Sequence, residues 1–178
     1  MTNWFETADG LWSAAWDEIA SRAETRLWTL ATVDADGGPQ QRTIVLRGAE
    51  PTTLQFHTDL GSSKIAHLRR DPRAGLLCWL PNRQLQLRIN AAVTIRHGAD
   101  VADIWDAVPD ASREAYGAVP ASGQPIDDAL AYAKPANQAA FTVLDCAVDT
   151  LDVLHLGADH RRVIFSRDGD WRGQWVAP

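Results

Sequence analysis

From Leu85 to Ile95 the chain keeps a strict alternation. Leu85, Leu87, Ile89, Ala91, Val93 and Ile95 hold the odd positions, and Gln84, Gln86, Arg88, Asn90, Ala92, Thr94 and Arg96 hold the even ones from 84 to 96. Successive side chains leave a strand on opposite faces, so a period of two sustained this long specifies a long strand with one apolar and one polar face. The polar face either meets water or lines a site, since the amides of Gln84 and Gln86 present donors and acceptors in a fixed frame.

The rest of the chain supplies partners for that strand. Leu11, Trp12, Ala15, Trp16, Ile19, Ala20 and Ala23 recur at three-and-four spacing, which predicts an amphipathic helix beginning near Asp9 as N-cap and ending near Glu24. Residues 26–33 are rich in β-formers. The turn Asp34–Pro39 joins them to a strand at Gln40–Arg47, and a second turn through Gly48-Ala49-Glu50-Pro51 leads to Leu54–Thr58. A short helix follows the Ser62-Ser63 turn and stops at Asp71-Pro72. Residues 74–80 read as a buried strand. Val101–Val108 reads as a helix ended by Pro109, with a further helical turn near 111–116, a loop through Gly117–Pro125, and a short helix at 127–133. Three strands at 141–156, 162–166 and 171–176 complete the chain. Hairpins dominate and no parallel crossover is needed. The fold class is mainly β with peripheral helices (α+β), an antiparallel barrel with helices outside it.

At 178 residues the chain fits a single domain, 1–178, with the helix of residues 1–25 packed on the barrel. A net charge of −6 argues against broad attraction to nucleic acid or anionic membrane. Cys78 and Cys146 lie in apolar runs without metal-type spacing, which favours buried thiols over a disulfide. No basic and apolar leader is visible at the start and no apolar run approaches the ~20 residues of a membrane span, so a cytoplasmic protein is expected. The eight tryptophans are expected in the core or at a subunit contact.

The stretch Arg42–Lys64 carries the chemistry. Two β-like runs lead into Gly61-Ser62-Ser63-Lys64, a turn that opens a helix with cations at both ends of the stretch. A helix N-terminus offers free N–H groups and partial positive charge, Ser62 and Ser63 add hydroxyls, and Arg42 and Lys64 add full charges, a donor set suited to a phosphate monoester. The same residues also read as a surface hairpin and a Ser-capped helix with solvated cations.

In order along the chain stand Arg42-Thr43-Ile44-Val45-Leu46-Arg47, Phe56-His57-Thr58-Asp59 with Gly61-Ser62-Ser63-Lys64, Leu68 with Asp71-Pro72-Arg73, Trp79 leading to Arg83-Gln84-Leu85, Gly117-Ala118 with Gln124, and His160-Arg161-Arg162 with Trp171 and the final Ala177-Pro178. This set resembles the pyridoxamine 5′-phosphate oxidase superfamily of FMN-binding split barrels, from about Arg26 to Pro178. The resemblance implies FMN as cofactor, with Arg42 and Lys64 on its phosphate, Ser62 and Ser63 as hydroxyl or N–H donors, and His57 and Thr58 as contacts from the middle strand. It further implies Thr43, Ile44, Val45 and Arg47 along the flavin, with Ile44 and Val45 facing the ring, and Gln84 on its polar edge. It implies a homodimer with FMN in the interface, Gln124 and Arg162 reaching the cofactor of the other subunit.

The departures fall on the substrate side. Ser63 stands where the oxidase has arginine and Arg47 where it has lysine. Near Ile104 to Glu114 the oxidase carries a tyrosine, an arginine and a serine for the substrate phosphate, and Ile104–Asp110 offers no convincing counterpart to them. Of the C-terminal Arg-x-His motif only His160 is present, and Leu154 replaces a tryptophan. The chain is therefore more similar to oxidase-related FMN-binding proteins than to the oxidase, and the resemblance implies an oxidoreductase acting on a small molecule. A cofactor-holding protein without turnover is the alternative. His160, Arg161 and Arg47 are the substrate-side candidates, each equally readable as a solvated cation or hairpin end. No residue stands out as a dedicated acid or base, and FMN chemistry needs none from the protein.

Overall fold

The computed structural model describes residues 3–21 and 26–178. Within the described residues eight strands form one antiparallel sheet: β1 (Leu27–Val33), β2 (Pro39–Glu50), β3 (Thr53–Asp59), β4 (Arg73–Leu80), β5 (Leu85–His97), β6 (Phe141–His155), β7 (Arg161–Ser166) and β8 (Gln174–Val176). Their order is β3-β2-β1-β4-β5-β6-β7-β8, and β3 pairs again with β6. The second pairing closes the first six strands into a split barrel and leaves β7 and β8 as a flap on β6. The alternating segment becomes β5, with Leu85, Leu87, Ile89 and Ala91 sealed inside.

In β6 the buried positions run Leu144, Cys146, Val148 and then Leu151, Val153. The phase slips because Ala91 pairs with Val148 while its neighbour Asn90 pairs with Thr150, leaving Asp149 as the extra residue of a bulge. The first half of β6 closes the barrel against β3, and the second half carries β7.

Helix α1 (Ala8–Ser21) buries Leu11, Ala15 and Ile19 on the barrel, and Trp12 packs on Trp16, Trp171 and Phe165. Its cap is Thr7 rather than Asp9: the Thr7 hydroxyl accepts from the Gly10 N–H, and Asp9 lies within the first turn, where a carboxylate favours the helix dipole. The expected end near Glu24 lies outside the described residues. Ahead of α1, a 3-10 turn at Trp4–Glu6 covers one end of the barrel, with Phe5 stacked on the buried ring of His155.

Helix α2 (Ser63–Arg70) buries Ile65 and Leu68 and stops at Asp71 as Pro72 requires. A second small core forms outside β6, where Val101, Trp105, Val108 and Tyr116 cover Phe141 and Val143. It lies beneath α3 (Ala102–Asp106) and α4 (Asp110–Arg113). Both cysteines are buried free thiols. Trp28 and Trp105 are buried, whereas Trp79 and Trp175 are 47% exposed. Among the described residues no helix is long and apolar enough to cross a membrane.

Three expectations need correction. Gly48-Ala49-Glu50 is not turn but strand. A bulge between Leu46 and Gly48 carries β2 on to Glu50, and the turn falls at Pro51-Thr52, with Thr52 at φ 66°. Residues 127–133 form no helix. Asp128 turns its carboxylate onto the Leu130 N–H at 3.0 Å, competing with the helical backbone, and the segment is exposed, so no apolar face rewards helix formation. The last strand is short because Asp170 and Trp171 both take positive φ, which delays β8 to Gln174.

Candidate functional site

The strand register brings one group of polar side chains to a single end of the barrel. Thr32 lies on the inward face of β1 after Trp28 and Leu30, Arg42 lies across from Leu30 on β2, and Thr58 ends the inward face of β3. Helix α2 begins over this end. Lys64 Nζ donates to the hydroxyls of Thr58 at 2.9 Å and Ser62 at 2.8 Å. Arg42 Nη1 donates to the Thr32 hydroxyl at 2.7 Å and to the carbonyls of Gln40 and Leu30 at 3.0 and 3.3 Å. The Thr32 hydroxyl also lies 3.0 Å from His67 Nδ1 on α2.

Two cations thus converge under the start of a helix. Among the described residues neither has a carboxylate within ion-pair distance. Burial, and then the neighbouring charge of Arg42, push the Lys64 ammonium down to about 8. Burial likewise lowers the Arg42 guanidinium. The Ser62 hydroxyl donates to the Asp59 carbonyl at 2.7 Å rather than capping α2, which leaves the helix without a side-chain cap. Ser63 is the first residue of α2 and is exposed. Such an end presents N–H groups and positive potential to an anion.

Asp59 ties the neighbouring loop to this end. Its carboxylate accepts from Gly61 N–H at 2.7 Å and from Gly117 N–H at 2.5 Å. Gly117 has φ 93°, and a Cβ there would come within 2.5 Å of the Asn137 Cβ, so only glycine fits where the loop leaves the barrel. The loop that follows, with Gln124, is exposed.

A second polar group lies one face away. Arg47, Gln55 and His57 floor a pocket of about 280 Å³ roofed by Ile104, Ala107, Val108, Pro109 and Ser112 from the α3–α4 corner. Burial, with the charge of Arg47 next, holds the His57 imidazole down to about 4. The Tyr116 hydroxyl lies near the charge of Arg47, and the His57 ring meets Phe141 edge-on at 4.9 Å. Behind the floor, Gln55 donates to Asp145 at 3.0 Å, and Asp145 pairs with Arg96 at 2.6 Å.

The other residues implied by the resemblance sit elsewhere. Ile44 points into the core, while Thr43 and Val45 face out. Arg42 pairs with Leu30, Leu30 with Leu76, and Leu76 with Ile89. Gln84 is therefore three strands away and five residues, about 17 Å, further along. It sits exposed in the left-handed region at the tip of the β4–β5 turn. Arg162 lies near that far end of β6 and grips Asp152 through two bonds of 3.0 and 2.8 Å, with Arg88 on the same carboxylate at 3.2 Å. Arg161 packs over Phe5 beside exposed His160 at the same end.

The chain thus carries two half-sets. One holds Arg42, Thr58, Ser62, Ser63 and Lys64, and the other holds Gln84, Arg162, Arg161 and His160. The outward face between them exposes Leu27 (62%), Leu77 (40%) and Trp79 (47%). Sequence reading missed Thr32, His67 and Tyr116, and quoted Asp59 in a motif without giving it a role. The signal for Thr32 was present, as a hydroxyl in phase with the buried Trp28 and Leu30.

The family model described as pyridoxamine 5′-phosphate oxidase matches residues 15–151. Among curated proteins, the pyridoxine/pyridoxamine 5′-phosphate oxidase of Chromohalobacter salexigens is 36% identical over 93 residues, 51% of this chain and 43% of that protein. The one from Acinetobacter baumannii strain SDF is 33% identical over 106 residues, 59% of this chain and 49% of that protein. The matched region thus spans less than half the length of these relatives. A pyridoxamine 5′-phosphate oxidase-related, FMN-binding protein from Nostoc punctiforme superposes with TM-score 0.77 at 25% identity, covering 100% of this chain and 99% of that one. PhzG from Burkholderia lata, solved with tetrahydrophenazine-1-carboxylic acid, has TM-score 0.74 over 94% of this chain and 91% of its own. At 18% identity it is a likeness of fold alone.

Proposed function

Because the chain belongs to the pyridoxamine 5′-phosphate oxidase family, we propose that it is an FMN-binding flavoprotein and an oxidoreductase acting on a small molecule. The observation that carries this reading is the pair Arg42 and Lys64, two part-buried cations with no carboxylate partner within ion-pair distance among the described residues, beside the hydroxyls of Thr58 and Ser62 at an uncapped helix start. That donor set fits a phosphate dianion. FMN, when bound, supplies the redox chemistry.

The protein's own part is positioning. Lys64 and Arg42 hold the phosphate, and outward Thr43 and Val45 with the β2 backbone give the ring a surface to lie along. Arg47 and His57 then form the polar floor of the adjoining pocket, where the substrate sits. Gln84, Gln124 and Arg162 act from a second copy of the chain, because the register keeps Gln84 and Arg162 away from the phosphate end of their own subunit. The exposed apolar face of Leu27, Leu77 and Trp79 is suited to that pairing.

Purification and a visible spectrum test the reading. A yellow protein that releases FMN supports it, and a colourless protein that fails to take up added FMN overturns it. Anaerobic reduction by NADH or NADPH and a peroxide assay with pyridoxamine phosphate then separate turnover from simple cofactor holding.

A further inference from the structure

The end of β2 away from Arg42 carries a pocket that the flavin reading leaves unused. Trp12 and Trp16 of α1 wall it, and Ala49, Glu50 and Pro51 of the β2–β3 hairpin line it with them around a volume of about 250 Å³. The two indoles stand four residues apart on one face of the helix, with ring centroids 5.6 Å apart and planes inclined at 58°, so together they make an apolar corner. Asp17 and Glu50 bring one carboxylate from each side. Both residues are exposed and no cation lines the pocket. Among the described residues no cation pairs with either carboxylate.

Packing alone does not account for an indole at Trp16. The ring lies against the barrel core, but its Nε1 is buried and has no hydrogen-bond partner among the described residues. A buried unpaired donor is costly, and phenylalanine or leucine would cover the same surface without one. What tryptophan offers in return is the aromatic face that attracts a cation most strongly.

The lining also selects among cations. A primary ammonium brings three N–H donors, which the indole faces, Ala49 and Pro51 cannot accept. A quaternary ammonium has no donor to satisfy, lies comfortably against aromatic faces, and has its charge met by the two carboxylates at the rim. An apolar cavity of roughly 150 Å³ already accommodates benzene, so a trimethylammonium group with a short substituent fits this pocket.

We propose that this pocket binds a small free quaternary ammonium ion, its methyl groups against Trp12 and Trp16 and its charge toward Asp17 and Glu50. The proposal is independent of the flavoprotein reading.

The test uses choline, its neutral isostere in which carbon replaces the nitrogen, and ethanolamine. Each is titrated into the full chain at constant ionic strength while the indole N–H resonances of Trp12 and Trp16 are followed by NMR. Choline is expected to shift them saturably and to bind at least tenfold tighter than either of the other two. Trp16→Leu should weaken choline at least tenfold. Asp17→Asn combined with Glu50→Gln alters only exposed side chains, so it covers the case in which Trp16→Leu does not fold. That double variant should weaken choline at least fivefold and leave the isostere unmoved. Binding of the isostere or of ethanolamine as tight as that of choline, the absence of a saturable shift, or choline affinity unmoved by the double variant overturns the proposal.

Discussion

Arg42 and Thr32 are joined across β1 and β2 by a 2.7 Å hydrogen bond from Nη1 to the threonine hydroxyl, which also meets His67 of α2. The buried hydroxyl therefore links the cation to the helix that begins above it. Thr32→Val keeps the shape and removes the link. A neutral hydrogen bond contributes about 0.5–1.5 kcal/mol, so FMN affinity should weaken by roughly 2- to 12-fold in a fluorescence-quenching titration. Unchanged affinity would mean that Thr32 does not position Arg42.

Removing a cation outright should cost more. A charge-assisted hydrogen bond contributes roughly 1.5–3 kcal/mol, which places Arg42→Ala and Lys64→Ala about 10- to 100-fold weaker for FMN. If both variants bind as the parent does, the phosphate is held somewhere else.

The Lys64 ammonium, pushed down to about 8, gives FMN binding a pH dependence. Below that value the site carries both charges, and as pH rises through it the free protein loses one. Affinity should therefore fall between about pH 8 and 10, and Lys64→Arg should flatten that fall. A flat profile in the parent protein rejects the assignment.

His57 makes a separate prediction about stability. Its folded value of about 4 lies below its ordinary 6.5, so between those values the unfolded chain binds the extra proton. The contribution is full above pH 6.5 and is lost as pH falls toward 4. Chemical denaturation from pH 7 to 4 should show a smaller decline for His57→Gln than for the parent, and an equal decline counts against a buried neutral imidazole.

The two half-sets predict that cofactor binding depends on association. Leu77→Asp, placed on the exposed face away from the phosphate end, should give a monomer in sedimentation and lower FMN affinity along with it. Gln84→Leu should leave association intact and alter the flavin spectrum. A monomer that binds FMN as tightly as the parent would refute the shared site.

The architecture was legible where periodicity and punctuation agreed. The β5 alternation, the Asp34–Pro39 turn and the Asp71-Pro72 stop all hold in the structure. Local pattern could not reveal the bulges at Leu46–Gly48 and at Asp149, because a bulge is set by the partner strand. At the site, the cations and serines announced themselves by type and spacing. Thr32 and Asp59 did not, since their roles depend on which strand ends come together. The separation of Gln84 from Lys64 is likewise a matter of register.

The pairing of β3 with β6 also governs how the chain reaches its fold. Gln55 and Asp145, bonded across it, lie 90 residues apart, so the barrel closes through one long loop whose entropy must be met late. The hairpins from β1 to β5 can form as the chain is synthesised, but until residues 141–147 emerge, the edge of β3 stays open to intermolecular pairing. The roof over His57 lies inside that same loop, between β5 and β6, and its floor lies on β2 and β3. Barrel closure and assembly of the pocket are consequently one folding event, and a nascent chain halted before β6 has neither.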